Sequence, residues 1–272
     1  MHSLLVPASP ARDRAVVATW IAGAIRRREK VLYKHAPAED AAMVLRRSLP
    51  AAGLDPAVLT SGQVQLADAG QLRAETGGRH DALYALHLEQ LRQATREGFA
   101  GLAMTGDGTA MHIITQDAGE LTGYERDLER LAGEARVRSL CRYPPDEKLP
   151  LLNHMLATHY REVADDVWSA DVIENQLRVR GELDFSNADR FAAVLRAALT
   201  HGVRAVDASG LEFCDVAGVR ALASATTDAL PPDALPLTVV GVAGVLARIL
   251  DMTGALDCRV LQVTDRQAGG GG

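Results

Sequence analysis

The sequence predicts an α/β protein of two domains that meet near residue 168. Three observations predict it. Segments with apolar residues at helical spacing alternate with short apolar runs of strand length, the pattern of helices layered on a mostly parallel sheet. The pattern changes at Asp165–Ala170, after which a hairpin signal follows. The chain has 272 residues, 47% of them hydrophobic, enough for two cores at roughly 100–200 residues per domain.

In order, Asp13 to Arg28 carries Val16, Val17, Trp20, Ile21, Ala24 and Ile25 on one helical face, with Arg26–Arg28 at the end that suits the helix dipole. Val31–Tyr33 reads as a short strand. Ala38 to Leu49 reads as a helix between Pro37 and Pro50. Val64–Leu66 is a strand candidate, His80 to Glu97 a helix ending at Gly98, and Gly101–Met104 a buried strand. Gly119 to Gly133 is an amphipathic helix through Leu121, Tyr124, Leu128 and Leu131. Val137–Tyr143 is a strand broken by Pro144–Pro145, and Pro150 to Tyr160 a helix. Beyond the change, Val172–Glu174 and Leu177–Val179 flank Asn175-Gln176 as a hairpin would. Asp189 to His201, Val219 to Leu230 and Ala243 to Met252 read as helices, the last closed by Gly254. Val203–Val206, Leu237–Val240 and Val260–Val263 read as the strands between and after them. The expected domains are 1–168 and 169–268, with residues 269–272 as a flexible glycine tail.

Composition excludes several classes. Net charge is −6, without a long single-sign block, so no direct nucleic-acid partner is expected. No apolar run approaches the roughly 20 residues that span a bilayer, and Met1 to Arg14 lacks a signal-peptide pattern. A cytoplasmic protein without membrane contact is therefore expected. Cys141, Cys214 and Cys258 are far apart, with no CxxC, and read as reduced, buried, small apolar residues. Cys141 beside Arg142 invites a lowered thiol pKa, but a buried strand cysteine is the simpler reading.

Three stretches of the second half resemble the STAS family of anti-sigma-factor antagonists. They are Gly181-Glu182-Leu183-Asp184-Phe185-Ser186-Asn187-Ala188, then Val206 to Leu222 with Phe213-Cys214-Asp215-Val216-Ala217-Gly218 at its centre, then Leu237 to Val242 followed by Val245–Leu250 and Thr253-Gly254. The residues support this independently: a buried strand ends at Asp215 and a helix starts near Ala217, so Asp215 can cap it and free N–H groups face outward. The resemblance implies an α/β domain with a mixed sheet that docks a partner through Asp184, Asp215, Val216, Ala217, Gly218 and Arg220. In phosphorylatable members a Ser or Thr precedes the glycine matching Gly218. Here Ala217 stands there, so no phosphorylation is expected at that position; Ser186, Ser209 and Thr226 read as turn and capping residues.

In the first half, Gly98-Phe99-Ala100-Gly101-Leu102-Ala103-Met104-Thr105-Gly106-Asp107, then Tyr124-Glu125, Leu140-Cys141-Arg142-Tyr143 and His159, with Trp20-Ile21 and Glu29 to Tyr33, resemble the MEDS sensory domain of methanogen and methylotroph regulators. The resemblance implies a RecA/KaiC-like α/β sheet and signal sensing. Gly101 and Gly106 have the spacing of the first two P-loop glycines, but Asp107 replaces the phosphate-binding Lys and Gly108 the Ser or Thr, so nucleotide binding is not expected. A small apolar or uncharged ligand is expected instead, past the C-terminal strand ends, against Tyr33, His35, Met104, Asp107 and Tyr143. Asp107 is equally readable as a turn residue. His154 and His159 are five apart, and His80 and His87 are unpaired, so each reads as a structural or surface residue.

No catalytic constellation, cofactor or metal is expected. The expected function is a signalling adaptor that senses a small signal and binds an anti-sigma factor or a serine-kinase-like switch protein, regulating transcription indirectly. The alternatives are a constitutive interaction module with a ligand-free first domain, and an unrecognised nucleotide-hydrolysing enzyme.

Overall fold

The computed structural model describes residues 1–144, 149–254 and 261–264. Expectations for Pro145, residue 260, Cys258 and the tail 269–272 lie outside the described residues. The chain divides into two compact units, residues 1–151 and 152–272.

The first unit contains β1 (His2–Val6), α1 (Pro10–Arg26), β2 (Glu29–His35), α2 (Ala41–Ser48), β3 (Val64–Asp68), α3 (Ala69–Thr76), α4 (His80–Arg96), β4 (Gly101–Asp107), α5 (Gly108–Ile114), α6 (Ala118–Glu134) and β5 (Val137–Arg142). The strands lie in the order β1-β5-β4-β2-β3, every pair parallel. Helix starts are set by short polar side chains that bond free amides: Ser9 for α1, Asp40 for α2, Asp68 for α3, Asp107 for α5 and Asp117 for α6. Val17, Ala18, Ile21 and Ala24 of α1 form an apolar core with Val31 and Tyr33 of β2, Leu45 of α2, Val64 and Ala103. Trp20 packs against this core.

Side chains alternate across a strand. Tyr33 therefore points to the α1 side and Lys34 to the other, where it meets Tyr124 of α6 and His87 of α4. The sheet thus carries α1 and α2 on one face and α4 and α6 on the opposite one.

Strands are longer than apolar runs alone suggest. β4 continues through Thr105-Gly106-Asp107, because these residues keep pairing with Leu140, Cys141 and Arg142 of β5. β1 has no counterpart among the expected elements, although its five residues are all buried.

α7 (Leu149–Thr158) runs through the division. The second unit then contains β6 (Glu162–Asp165), β7 (Trp168–Ile173), β8 (Gln176–Leu183), α8 (Ala188–Thr200), β9 (Ala205–Cys214), α9 (Val216–Ala229), β10 (Leu237–Val240), α10 (Gly244–Met252) and β11 (Leu261–Thr264). Its strands lie in sequence order; β6-β7-β8 are antiparallel and β8-β9-β10-β11 parallel, a mixed sheet. The hairpin turn falls at Glu174-Asn175, one residue before the expected Asn175-Gln176. Gln176 already pairs with Ile173, and Glu174 takes the left-handed conformation at φ 54°. Gly181 has φ +84°, and a Cβ there would lie 2.1 Å from the carbonyl oxygen of Val167, which explains the glycine that opens the first STAS-like stretch. Trp168 packs edge-on against Phe191 of α8, ring centres 6.0 Å apart, inside the second unit.

Candidate functional site

The face of the first sheet covered by α4 and α6 holds a layer of polar side chains where an apolar interface would be ordinary. From β2, Lys34 donates to the Tyr124 hydroxyl and lies 3.4 Å from Nε2 of His87. Nδ1 of His87 bonds the Leu83 carbonyl at 2.6 Å, so that nitrogen carries the proton. Burial, then the Lys34 ammonium, push the His87 pKa down to about 3. Lys34 is itself lowered by burial, and Tyr124 is raised by it.

The second half of the layer is built on β1 and β5. His2 pairs with Ser139 in register, so His2, Ser139 and Cys141 share one face. Glu125 of α6 reaches the same point. Its Oε2 lies 3.1 Å from Nε2 of His2 and accepts the Cys141 thiol at 3.3 Å, while its Oε1 accepts the Tyr143 hydroxyl at 2.9 Å. Glu129, one helical turn on, lies 3.1 Å from Nδ1 of His2. Burial opposes charge on His2, but Cys141, Glu125 and Glu129 outweigh it and raise its pKa well above the usual value. Burial, reinforced by Glu125, raises the Cys141 thiol, the opposite of activation by Arg142. Arg142 points to the other face, onto Asp13 and the Tyr33 ring.

The five expected ligand residues do not face one space. Tyr33, His35 and Asp107 lie on the α1 side of the sheet, with Tyr33 donating to Glu39 at 3.0 Å. Met104 and Tyr143 lie on the α6 side and are 0% exposed. Met104 sits in mid-strand and not past a strand end, because β4 runs on to Asp107. Tyr33 is likewise inside β2, while Tyr143 follows β5 directly. Asp107 bonds the Ala110 amide at 2.8 Å as the cap of α5, leading from strand straight into helix. A cavity of about 270 Å³ opens elsewhere, against Lys30, Leu32, Gln65, Leu86, Gln90 and Leu102, and includes none of the five.

In the second unit the six expected partner residues gather where β8 and β9 end. Asp215 caps α9, its Oδ1 accepting the amides of Ala217 and Gly218 at 2.7 and 2.9 Å and its Oδ2 that of Phe185 at 3.1 Å. Asp184 turns inward on Ser186, accepting its amide and hydroxyl at 2.8 and 2.6 Å, and these bonds lower its pKa. Gly218 is buried and tight: a Cβ would lie 2.8 Å from Cys214 Sγ. Ala217 is half-buried, and Val216 and Arg220 are exposed. Around this helix start Phe185 is 83% exposed, with Phe213 and Val216 at 45% and 42%. These three are large apolar side chains left open to solvent beside one helix start. The two phenylalanines stand inside the STAS-like stretches, Phe185 in the turn before α8 and Phe213 near the end of β9.

Sequence reasoning did not assemble the buried layer. Tyr124-Glu125 and Cys141 to Tyr143 were marked by the MEDS resemblance but not as neighbours, His2 belongs to an unanticipated strand, and Lys34 and Glu129 carry no spacing that marks them. His87 is buried, as a structural histidine would be. His159 is 0% exposed in the second unit, its Nδ1 2.7 Å from the Met155 carbonyl. His80 bonds Asp127 at 2.7 Å.

Among the described residues no helix is long and apolar enough to cross a membrane. No curated protein matches the chain significantly. The family model described as MEDS, the methanogen/methylotroph, DcmR sensory domain, matches residues 1–169, and that described as Mlab, STAS domain, matches residues 169–262. These are sensory and regulatory families, not enzyme families. With more than half of its length matched by the first model, the chain belongs to the MEDS family and carries a STAS domain after its MEDS domain.

Proposed function

We propose that the protein is a cytoplasmic signalling adaptor: the MEDS domain senses a small signal, and the STAS domain binds an anti-sigma factor or a serine-kinase-like switch protein, changing transcription indirectly. The observation that carries this reading is the exposed apolar surface of Phe185, Phe213 and Val216 around the capped start of α9. Asp184, Asp215, Val216, Ala217, Gly218 and Arg220 form the docking face with them. Partner interfaces are built on such aromatic anchors in a polar rim. Because Ala217 has no hydroxyl, control comes from the first domain and not from a phosphate at this helix start.

Sensing requires that the signal favour one of two states of the protein, since equal affinity for both shifts nothing. The test is capture of a serine-kinase-like anti-sigma factor from the native host by the full chain, compared with Ala217→Asp. The carboxylate suits a helix N-terminus, so the variant keeps its fold but puts charge on the docking face. Recovery with the native chain and loss with Ala217→Asp is the expected result. Equal recovery with both would remove this face from the interface, and capture of no switch protein would remove the adaptor reading.

A further inference from the structure

We infer that His2, Glu125 and Cys141 form a binding site for a divalent transition-metal cation of the zinc class. The inference goes beyond the adaptor reading and does not depend on what the STAS domain binds. Three donor atoms from three separate segments converge: Nε2 of His2 on β1, Oε2 of Glu125 on α6 and Sγ of Cys141 on β5. Nitrogen to oxygen is 3.1 Å, and sulfur lies 3.3 Å from each. With bonds of about 2.0–2.3 Å, neighbouring donors of a tetrahedral site stand roughly 3.3–3.7 Å apart. The triangle is thus within a few tenths of an ångström of a coordination face. Oε2 of Glu125 faces both Nε2 and Sγ, and the third side, nitrogen to sulfur at 3.3 Å, brings all three atoms within reach of one ion.

The surroundings supply an independent observation. Metal-binding histidines characteristically give their other ring nitrogen to a carboxylate, which fixes the tautomer and turns the lone pair toward the ion. Here Glu129 takes that role at 3.1 Å from Nδ1 of His2. Tyr143 holds Oε1 of Glu125, so that Oε2 is the oxygen turned toward His2 and Cys141. Ser139 Oγ is 3.7 Å from the sulfur, placed to support a thiolate. Each proposed ligand is therefore oriented by a partner of its own.

Charge balance agrees with this. The side chains of His2 and Glu125 are 0% exposed. A dication against one thiolate, one carboxylate and one neutral imidazole makes a neutral group, which is the form that burial tolerates. On binding, the thiol proton of Cys141 and any proton on Nε2 of His2 pass to solvent, and no electron moves. Thiolate and imidazole donors select zinc-class ions over calcium and magnesium, which take oxygen ligands.

The test uses the tag-free full chain with Cys214→Ser and Cys258→Ser, which leaves Cys141 as the single thiol of the three. Protein from zinc-supplemented culture is analysed for metal, then stripped and titrated with cobalt(II). The expected result is stoichiometric zinc, a near-ultraviolet thiolate-to-cobalt charge-transfer band, and a melting temperature that zinc raises. Adding Cys141→Ser should abolish the band and the zinc-dependent shift. Glu129→Gln should keep the band while weakening affinity about 10–100-fold, and it carries the test if Cys141→Ser does not fold. Absence of zinc, band and melting shift together would overturn the assignment, as would a band that survives without Cys141. Capture of a switch protein by the STAS face is a separate readout, so failure of one proposal does not imply failure of the other.

Discussion

Asp215→Ala should destabilise the second unit by about 1.5–3 kcal/mol while leaving the first unit unchanged. Loss of an N-cap side chain costs about 0.5–2 kcal/mol. Asp215 sits at the upper end, because one of the two amides it bonds belongs to buried Gly218, which cannot turn to water instead. Removing the negative charge from the helix start adds about 0.3–1 kcal/mol. The exposed Phe185 amide can be solvated and adds little. The chain has two tryptophans, and Trp168 is buried against Phe191 in the second unit. In a Trp20→Phe background, Trp168 fluorescence during urea unfolding therefore follows that unit alone, which matters because a two-domain chain need not unfold in one step. With a slope of about 1–2 kcal/mol per molar urea, the midpoint should fall on the order of 1–2 M. Asp215→Asn keeps a capping oxygen and should recover most of the loss. A midpoint unchanged by alanine, or one that asparagine lowers equally, would refute the capping account.

Gly218→Ala gains about 1 kcal/mol of helix propensity but forces a methyl within 2.8 Å of Cys214 Sγ and 3.1 Å of Leu183 Cβ, so a net loss of about 1–2 kcal/mol is expected in the same urea assay; a gain would show that the β9–α9 junction yields easily. Phe185→Ser should leave stability within about 0.5 kcal/mol, since the ring is 83% exposed, yet weaken partner binding at least ~10-fold by calorimetry; intact binding would take Phe185 out of the docking face. His87, with its pKa held down to about 3 where an ordinary histidine has 6.5, should remain the neutral Nδ1–H tautomer by nitrogen-15 NMR at pH 5. Its folded value lies below its unfolded one, so the unfolded chain takes up the proton first. The stability tied to His87 is complete above pH 6.5 and is lost progressively as pH falls toward about 3. A His87 titration near 6.5 would contradict its burial beside Lys34.

The second half was the more legible, for a physical reason. In Phe213-Cys214-Asp215-Val216-Ala217-Gly218 a strand, a cap and a helix start are adjacent in sequence, so local rules suffice to place them, and β9 does hand over to α9 at Asp215. The hairpin slipped by one residue because Asn175 suggested a turn at Asn175-Gln176, whereas Glu174 supplies the positive φ. In the first half, helices with full apolar faces were readable to within a few residues, as α4 and α6 show. Strands were not, because a strand's ends depend on its neighbours. β4 extends through Thr105-Gly106-Asp107 only because β5 offers partners there. β1 was missed since its His2-Ser3 start reads as polar, though all five residues are buried beside β5.

The MEDS resemblance marked Tyr124, Glu125, Cys141 and Tyr143, but their meeting in one buried polar layer was beyond sequence reading for a related reason. Periodicity assigns polar residues to solvent, and that rule fails where several polar groups satisfy one another inside. His2, Glu125 and Cys141 are separated by more than a hundred residues at the widest, and only the parallel register of β1 on β5, with α6 crossing above both, makes them neighbours. Nothing in their spacing resembles a metal motif, because metal motifs recognisable in sequence place two ligands on one local element. What the sequence does hold is a set of chemically versatile residues at positions the fold could fill with leucine or valine. Keeping Lys34, His87, Tyr124, Glu125, Cys141 and His2 in one interior carries a desolvation cost that apolar residues would avoid. Stability alone does not account for such a layer, whereas binding something there would. The two regions accordingly differ in kind: the start of α9 leaves Phe185, Phe213 and Val216 exposed, and the MEDS interior encloses polar groups that bond one another.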